Sequence, residues 1–172
     1  YDFTWREFCD WYLETIKPRL ADGKPSVARK VLAHVLDGVL RMLHPFMPFV
    51  TEEIWQMLKA RVAQGDLDWK GVAYPESIML APWPAQEAQY RDRETEATFA
   101  LLQDIIRAVR NIRSKLGVAE RQPLTITASV PDDATAARLR SHERILREMG
   151  YIEKISIGVA LPKPPASATD VI

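Results

Sequence analysis

The sequence predicts a mainly α chain, an antiparallel helical bundle carrying a small C-terminal βαβ appendage. Apolar residues recur at three- and four-residue spacing through most of the first 116 positions. Beyond position 120 the period shortens to two on either side of one further helical stretch. Composition fits a packed protein: of 172 residues, 47% are apolar and 27% charged, which excludes a disordered polyelectrolyte. The 23 basic residues balance the 23 acidic ones, which argues against a generic polyanion coat but leaves room for a local basic face.

Residues 3–17 place Trp5, Phe8, Cys9, Tyr12, Leu13 and Ile16 on one broad helix face, with Pro18 expected just past its end. The next helix is expected over about 25–43, with Pro25 in its first turn and Ser26 beside it. Two adjacent rows, Val27, Val31, Val35, Val39, Leu43 and Ala28, Leu32, Leu36, Leu40, describe a helix buried over a wide face. Pro45 then disfavours helical geometry at His44, and Pro48 suits the first turn of a new helix. His44, Pro45 and Pro48 are therefore assigned to geometry, setting the angle between two bundle helices. Ile54, Trp55, Leu58 and Val62 supply the apolar side of the second, and Thr51, Glu52 and Glu53 lie near its positive end.

Positions 65–84 read as a loop with Gly71, Pro75, Pro82 and Pro84, in which Ile78, Met79 and Leu80 are expected to run extended against the bundle. The longest helix is expected over 87–116, from Phe99, Leu102, Ile105, Ile106, Val109, Ile112 and Leu116, with Gly117 as its stop. Positions 124–130 alternate as a strand, Pro131-Asp132-Asp133 is expected to start a short helix to about Met149 with Gly150 ending it, and 154–159 form a second strand. A helical crossover of this kind is expected to pair the strands in parallel. The domains expected are a helical one over 1–120, an α/β subdomain over 121–160, and a proline-rich linker over 161–172. The opening Tyr1 and that linker create the expectation of a piece cut from a longer chain.

The residues offer little for catalysis. There is no glycine-rich phosphate loop, no paired-histidine zinc spacing and no GxSxG elbow, so no catalytic and no metal residue is assigned. His34, His44 and His142 lie on separate elements, and His34 is expected to be a satisfied, partly exposed histidine. Glu52 and Glu53, adjacent on a helix, point in different directions and suit the helix dipole better than acid–base work. The single Cys9 excludes an internal disulfide and a cysteine-rich zinc site and is expected in the core. No secretory signal or membrane-spanning apolar run occurs, so a cytoplasmic location is expected.

A basic row stands out instead. Arg107, Arg110 and Arg113, three residues apart, form a drifting stripe on the long helix, followed by Lys115 and Arg121, with Glu120 the one acidic residue among them. Such a stripe can neutralise phosphates, and planar guanidinium groups can stack on unpaired bases. The alternative is a solvated polar face, since arginine near a helix C-terminus is favourable without any ligand. Trp5, Trp11, Phe46, Phe49 and Trp55 could stack bases, but their places in apolar rows or at a helix junction favour core packing for each.

Four segments also carry a resemblance. Phe8-Cys9-Asp10-Trp11-Tyr12-Leu13-Glu14 resembles a segment of the anticodon-binding domain of class I aminoacyl-tRNA synthetases of the valine, isoleucine and leucine group. The run from Leu43-His44-Pro45-Phe46-Met47-Pro48-Phe49 to Trp55-Gln56 is similar to that group's helix-break-helix segment. Ser77-Ile78-Met79-Leu80-Ala81-Pro82-Trp83-Pro84 and Ile106-Arg107-Ala108-Val109-Arg110-Asn111-Ile112-Arg113 look like the valyl form. Four motifs in order resemble the valyl-tRNA synthetase family; isoleucyl or leucyl relatives, or a helical protein-interaction module without an RNA role, remain the alternatives. The resemblance implies a bundle of the class I anticodon-binding type with tRNA(Val) as partner, and Arg107, Arg110, Arg113 and Lys115 as candidate RNA contacts. It implies a monomeric parent enzyme, a valine–tRNA ligase using ATP and magnesium, with no cofactor held in this stretch. That family's nucleotide-binding motifs and editing domain would lie upstream of Tyr1, and its coiled-coil arm beyond Ile172.

Overall fold

The computed structural model describes residues 2–20, 27–65, 74–119 and 121–172, so the expected helix start at Pro25 and Ser26, Gly71 of the loop, and Glu120 lie outside the described residues. The chain is mainly helical and divides into two compact units, 1–88 and 89–172. That division falls ahead of the longest helix, whereas the boundary expected at 120 follows the change of period.

The first unit opens with a π-helical stretch, Phe3–Leu13, that tightens into α1, Glu14–Leu20. Pro18 lies inside α1 and not past its end; lacking an N–H, it leaves the Glu14 carbonyl without its usual partner four residues on. Phe8, Trp11 and Ile16 are buried, and Cys9 is half-buried. Helix α2, Val27–Leu43, buries Ala28, Ala33, Asp37, Val39 and Leu40. Of the two rows expected there, the one through Ala28 and Leu40 faces inward, while Val27 and Val31 are exposed.

A turn over His44–Phe46 leads into α3, Pro48–Ala63, with Pro48 in the first turn as the proline spacing predicts. The Thr51 hydroxyl donates to the Met47 carbonyl at 2.8 Å, so the His44 Nδ1 beside it, also at 2.8 Å, must carry the proton and donate to Thr51. Trp55 is fully buried with Leu40 and Ile78, and Leu36, Tyr74 and Ala81 pack around them. Its indole N–H donates to Asp37 Oδ1 at 2.8 Å, and Arg41 pairs with the other oxygen of that carboxylate at 2.8 Å. Burial, reinforced by the nearby Asp37 charge, pushes the Tyr74 hydroxyl up to about 12.

Ile78, Met79 and Leu80 form a 3-10 turn and not the extended segment expected; only Ile78 is buried. Polar groups of α3 hold this turn. The Glu52 carboxylate accepts from Ser77 Oγ at 2.8 Å and from the Ile78 amide at 3.2 Å. Gln56 donates to the Glu76 carbonyl and Lys59 to that of Pro75, each at 2.7 Å. Glu52 is thus a clamp, one turn further along α3 than a dipole-complementing residue would be.

The second unit is built on α4, Arg93–Leu116, and a two-stranded parallel sheet of β1, Leu124–Val130, and β2, Ile152–Val159. Helix α4 starts six residues later than expected: Ala88–Tyr90 is a separate 3-10 turn, and Asp92 caps the helix by accepting from the amides of Glu94 and Thr95. Gly117, at φ 65°, ends it in the left-handed conformation its position predicts. Leu102, Ile105, Ile106 and Val109 are buried, each side chain contributing roughly 1.5–3 kcal/mol.

The crossover is two short helices, α5, Asp133–Ser141, and α6, Glu143–Gly150, joined at His142. Gly150 does not terminate α6 by a left-handed turn; Tyr151 takes that conformation at φ 50°, and a Cβ on Gly150 would sit 2.8 Å from Ile152 Cδ1. Arg140 and Arg147 donate to the Ile157 and Glu153 carbonyls, which blunts β2 as a pairing strand.

Candidate nucleic-acid interface

The four basic residues singled out in the sequence have different environments. Arg107 and Arg110 are exposed on the C-terminal half of α4, Arg107 reaching Asp104 at 3.0 Å, and Lys115 is exposed in the last turn. Arg113 is 4% exposed. Its Nη1 donates to the carbonyls of Ala119 and Gln122 at 3.1 and 2.6 Å, and its Nη2 to those of Gly150 and Tyr151 at 3.1 and 2.9 Å. A guanidinium so committed presents nothing to a phosphate, so Arg113 leaves the exposed row and becomes an internal pin between the end of α4 and the α6–β2 junction. Three-residue steps drift by about 60° each, so Arg113 is turned by about 120° from Arg107. It continues the buried row of Leu102, Ile106 and Val109 at four- and three-residue spacing.

Asn111 and Ser114 take the vacated place. Both are exposed, and helical geometry puts them within about 100° of arc with Arg107 and Arg110. Sequence reasoning passed over them because it followed charge alone. The face therefore joins two guanidinium groups, which suit phosphates, to an amide and a hydroxyl, which suit base edges and sugar hydroxyls. Arg121 is also exposed, just beyond Gly117.

The aromatic candidates divide in the same way. Trp55 and Trp11 are buried, as their apolar rows predict. Phe46, at 82% exposure, and Phe49, at 90%, are not core residues, and Trp5 too is exposed. His34 is a partly exposed histidine whose Nε2 lies 3.1 Å from Glu87 Oε1. A groove beside the start of α4 carries Asp92 and Glu94 together with Arg138 and His142, a mixed charge that forms no anion cradle. Among the described residues no three His, Cys, Asp or Glu side chains gather as a metal site would need, and no helix is long and apolar enough to cross a membrane.

The chain is a mainly helical scaffold whose longest helix exposes Arg107, Arg110, Asn111 and Ser114. Residues 1–128 match the family described as the anticodon-binding domain of tRNA ligase, and the chain belongs to that family. Over its whole length it is similar to valine–tRNA ligases. It is 37% identical to that of Symbiobacterium thermophilum, covering 100% of this chain and 20% of the ligase. The Thermotoga maritima enzyme is 36% identical over 98% of this chain and 17% of its own length. The Geobacillus kaustophilus enzyme is 35% identical over 100% of this chain and 18% of its own. The chain thus spans about a fifth of the length of these relatives.

Proposed function

We propose that this chain is the tRNA-holding domain of a valine–tRNA ligase whose complete polypeptide joins valine to tRNA(Val) with ATP and magnesium. The observation that carries the reading is the similarity to valine–tRNA ligases along the entire chain, within the anticodon-binding family. The role of these residues is positional. The buried rows of α4 fix the helix, and the opposite face offers Arg107 and Arg110 to phosphates and Asn111 and Ser114 to unpaired bases. Lys115 lies at the rim of that face, where it adds charge, and Arg113 holds the end of the helix. The nucleotide and the metal ion belong to other parts of the polypeptide. A cytoplasmic monomer goes with this reading.

Two measurements test it. In the complete enzyme, charging with valine should exceed charging with isoleucine; preferential isoleucine charging overturns the assignment. In the same enzyme the double variant Arg107→Glu, Arg110→Glu should weaken tRNA binding by roughly tenfold or more at low salt. Unchanged affinity would leave the row as a solvated face.

A further inference from the structure

Arg113 does more than close the end of α4. Its Nη1 holds the carbonyls of both Ala119 and Gln122, and the Gln122 amide donates to the Ala119 carbonyl at 3.1 Å. The Val118 amide donates to the Arg113 carbonyl at 2.9 Å. The chain past Gly117 is therefore tied back to the helix end at Val118, Ala119 and Gln122. Arg121 falls between the last two ties. It is exposed, and among the described residues no hydrogen bond or ion pair engages it. Because its backbone is already fixed on both sides, little main-chain freedom is left to lose when its side chain meets a ligand. We infer that Arg121 is a further phosphate contact for the tRNA, with Arg113 as its positioning residue, an inference that rests on the proposed function.

The local charge favours an anion. Arg113 brings a buried positive charge under this corner and meets only neutral carbonyls there. From Arg113 to Arg121 the sequence carries three cations, Arg113, Lys115 and Arg121, against one anion, Glu120, an excess of two. The negative end of a helix amounts to only about half an elementary charge, so the corner stays positive after the dipole is met. Phosphate is the anion that RNA presents whatever its bases, so this contact adds affinity without reading sequence.

The test uses the complete enzyme, with tRNA affinity measured across a range of salt. Arg121→Ala should make the plot of log affinity against log salt shallower by about one unit. It should weaken cognate and non-cognate tRNA by the same factor and leave Tm in place, and Arg121→Lys should restore the slope. An unchanged slope overturns the inference. A fall in Tm with the slope unchanged does so too, and would make a carboxylate of the protein the partner. Arg113→Lys keeps the charge but not the planar fork. It should lower affinity at constant slope, and that loss should vanish once Arg121 is alanine; equal losses in both backgrounds overturn the positioning role. The double variant Arg107→Glu, Arg110→Glu separates the two claims. If it weakens binding while Arg121→Ala keeps the parent slope, the inference falls and the proposed function stands. If it leaves binding unchanged while Arg121→Ala shifts the slope, the α4 face falls and the contact at Arg121 stands.

Discussion

Arg113 carries a full charge into the second unit and meets four carbonyl oxygens there, none of them from a carboxylate. Removing it strands those carbonyls, so Arg113→Ala should lower stability by about 3 kcal/mol or more, seen as a fall in Tm by calorimetry. Arg113→Lys should recover only part of this, because an ammonium cannot reproduce the planar fork. Glu52 gives a second prediction. The Gln56 donor lowers its pKa most, burial opposes as the next largest effect, and Ser77, the Ile78 amide and the charge of His44 each lower it further, so that the net shift is downward. A depressed folded value means that its contribution is complete above the ordinary 4.5 and is lost as pH falls through the lowered one. Glu52→Ala should therefore melt lower than the parent at neutral pH, with the gap closing on titration below about pH 4.5; a constant gap would rule the clamp out. Arg113 was legible in part, since it falls in the Leu102, Ile106, Val109 row, but an arginine at a buried position runs against the usual side-chain preference. Phe46 and Phe49 mislead in the opposite sense, because an apolar residue is not obliged to be inside.

Element ends were legible where one residue forces them. Pro48 opening α3 and Gly117 closing α4 follow from a fixed φ and from tolerance of a positive one. The start of α4 was missed because the three- and four-residue spacing was extended backwards, although Asp92 with Thr95 three residues on is a capping signal in its own right. Asp92→Ala should fray the first turn, raising hydrogen exchange at the Glu94 and Thr95 amides while leaving Val109 protected. No change at those two amides would show that the cap does not hold the turn. The 3-10 turn at Ile78 was hidden for a different reason. Its conformation is imposed by Glu52, Gln56 and Lys59 of α3, residues some twenty positions away that no local pattern connects to it. Parallel pairing of β1 and β2 was legible, since the helical segment between them returns the chain to the end of the sheet from which it left.

At the scale of the whole molecule, a chain with no net charge binds a polyanion only through a local concentration of cations. The salt dependence of tRNA affinity should therefore be shallow, and each of Arg107→Ala and Arg110→Ala should reduce its slope by about one counterion. A slope unchanged by both would move the interface off α4. Arg113→Ala, in contrast, should alter stability with little effect on the slope. The two kinds of arginine on one helix have a practical corollary. Exposed guanidinium groups surrender phosphates to added salt, whereas hydrogen bonds sealed among buried carbonyls are screened hardly at all. A high-salt wash should therefore strip co-purifying nucleic acid from this protein and leave the joint between α4 and the sheet as tightly closed as before.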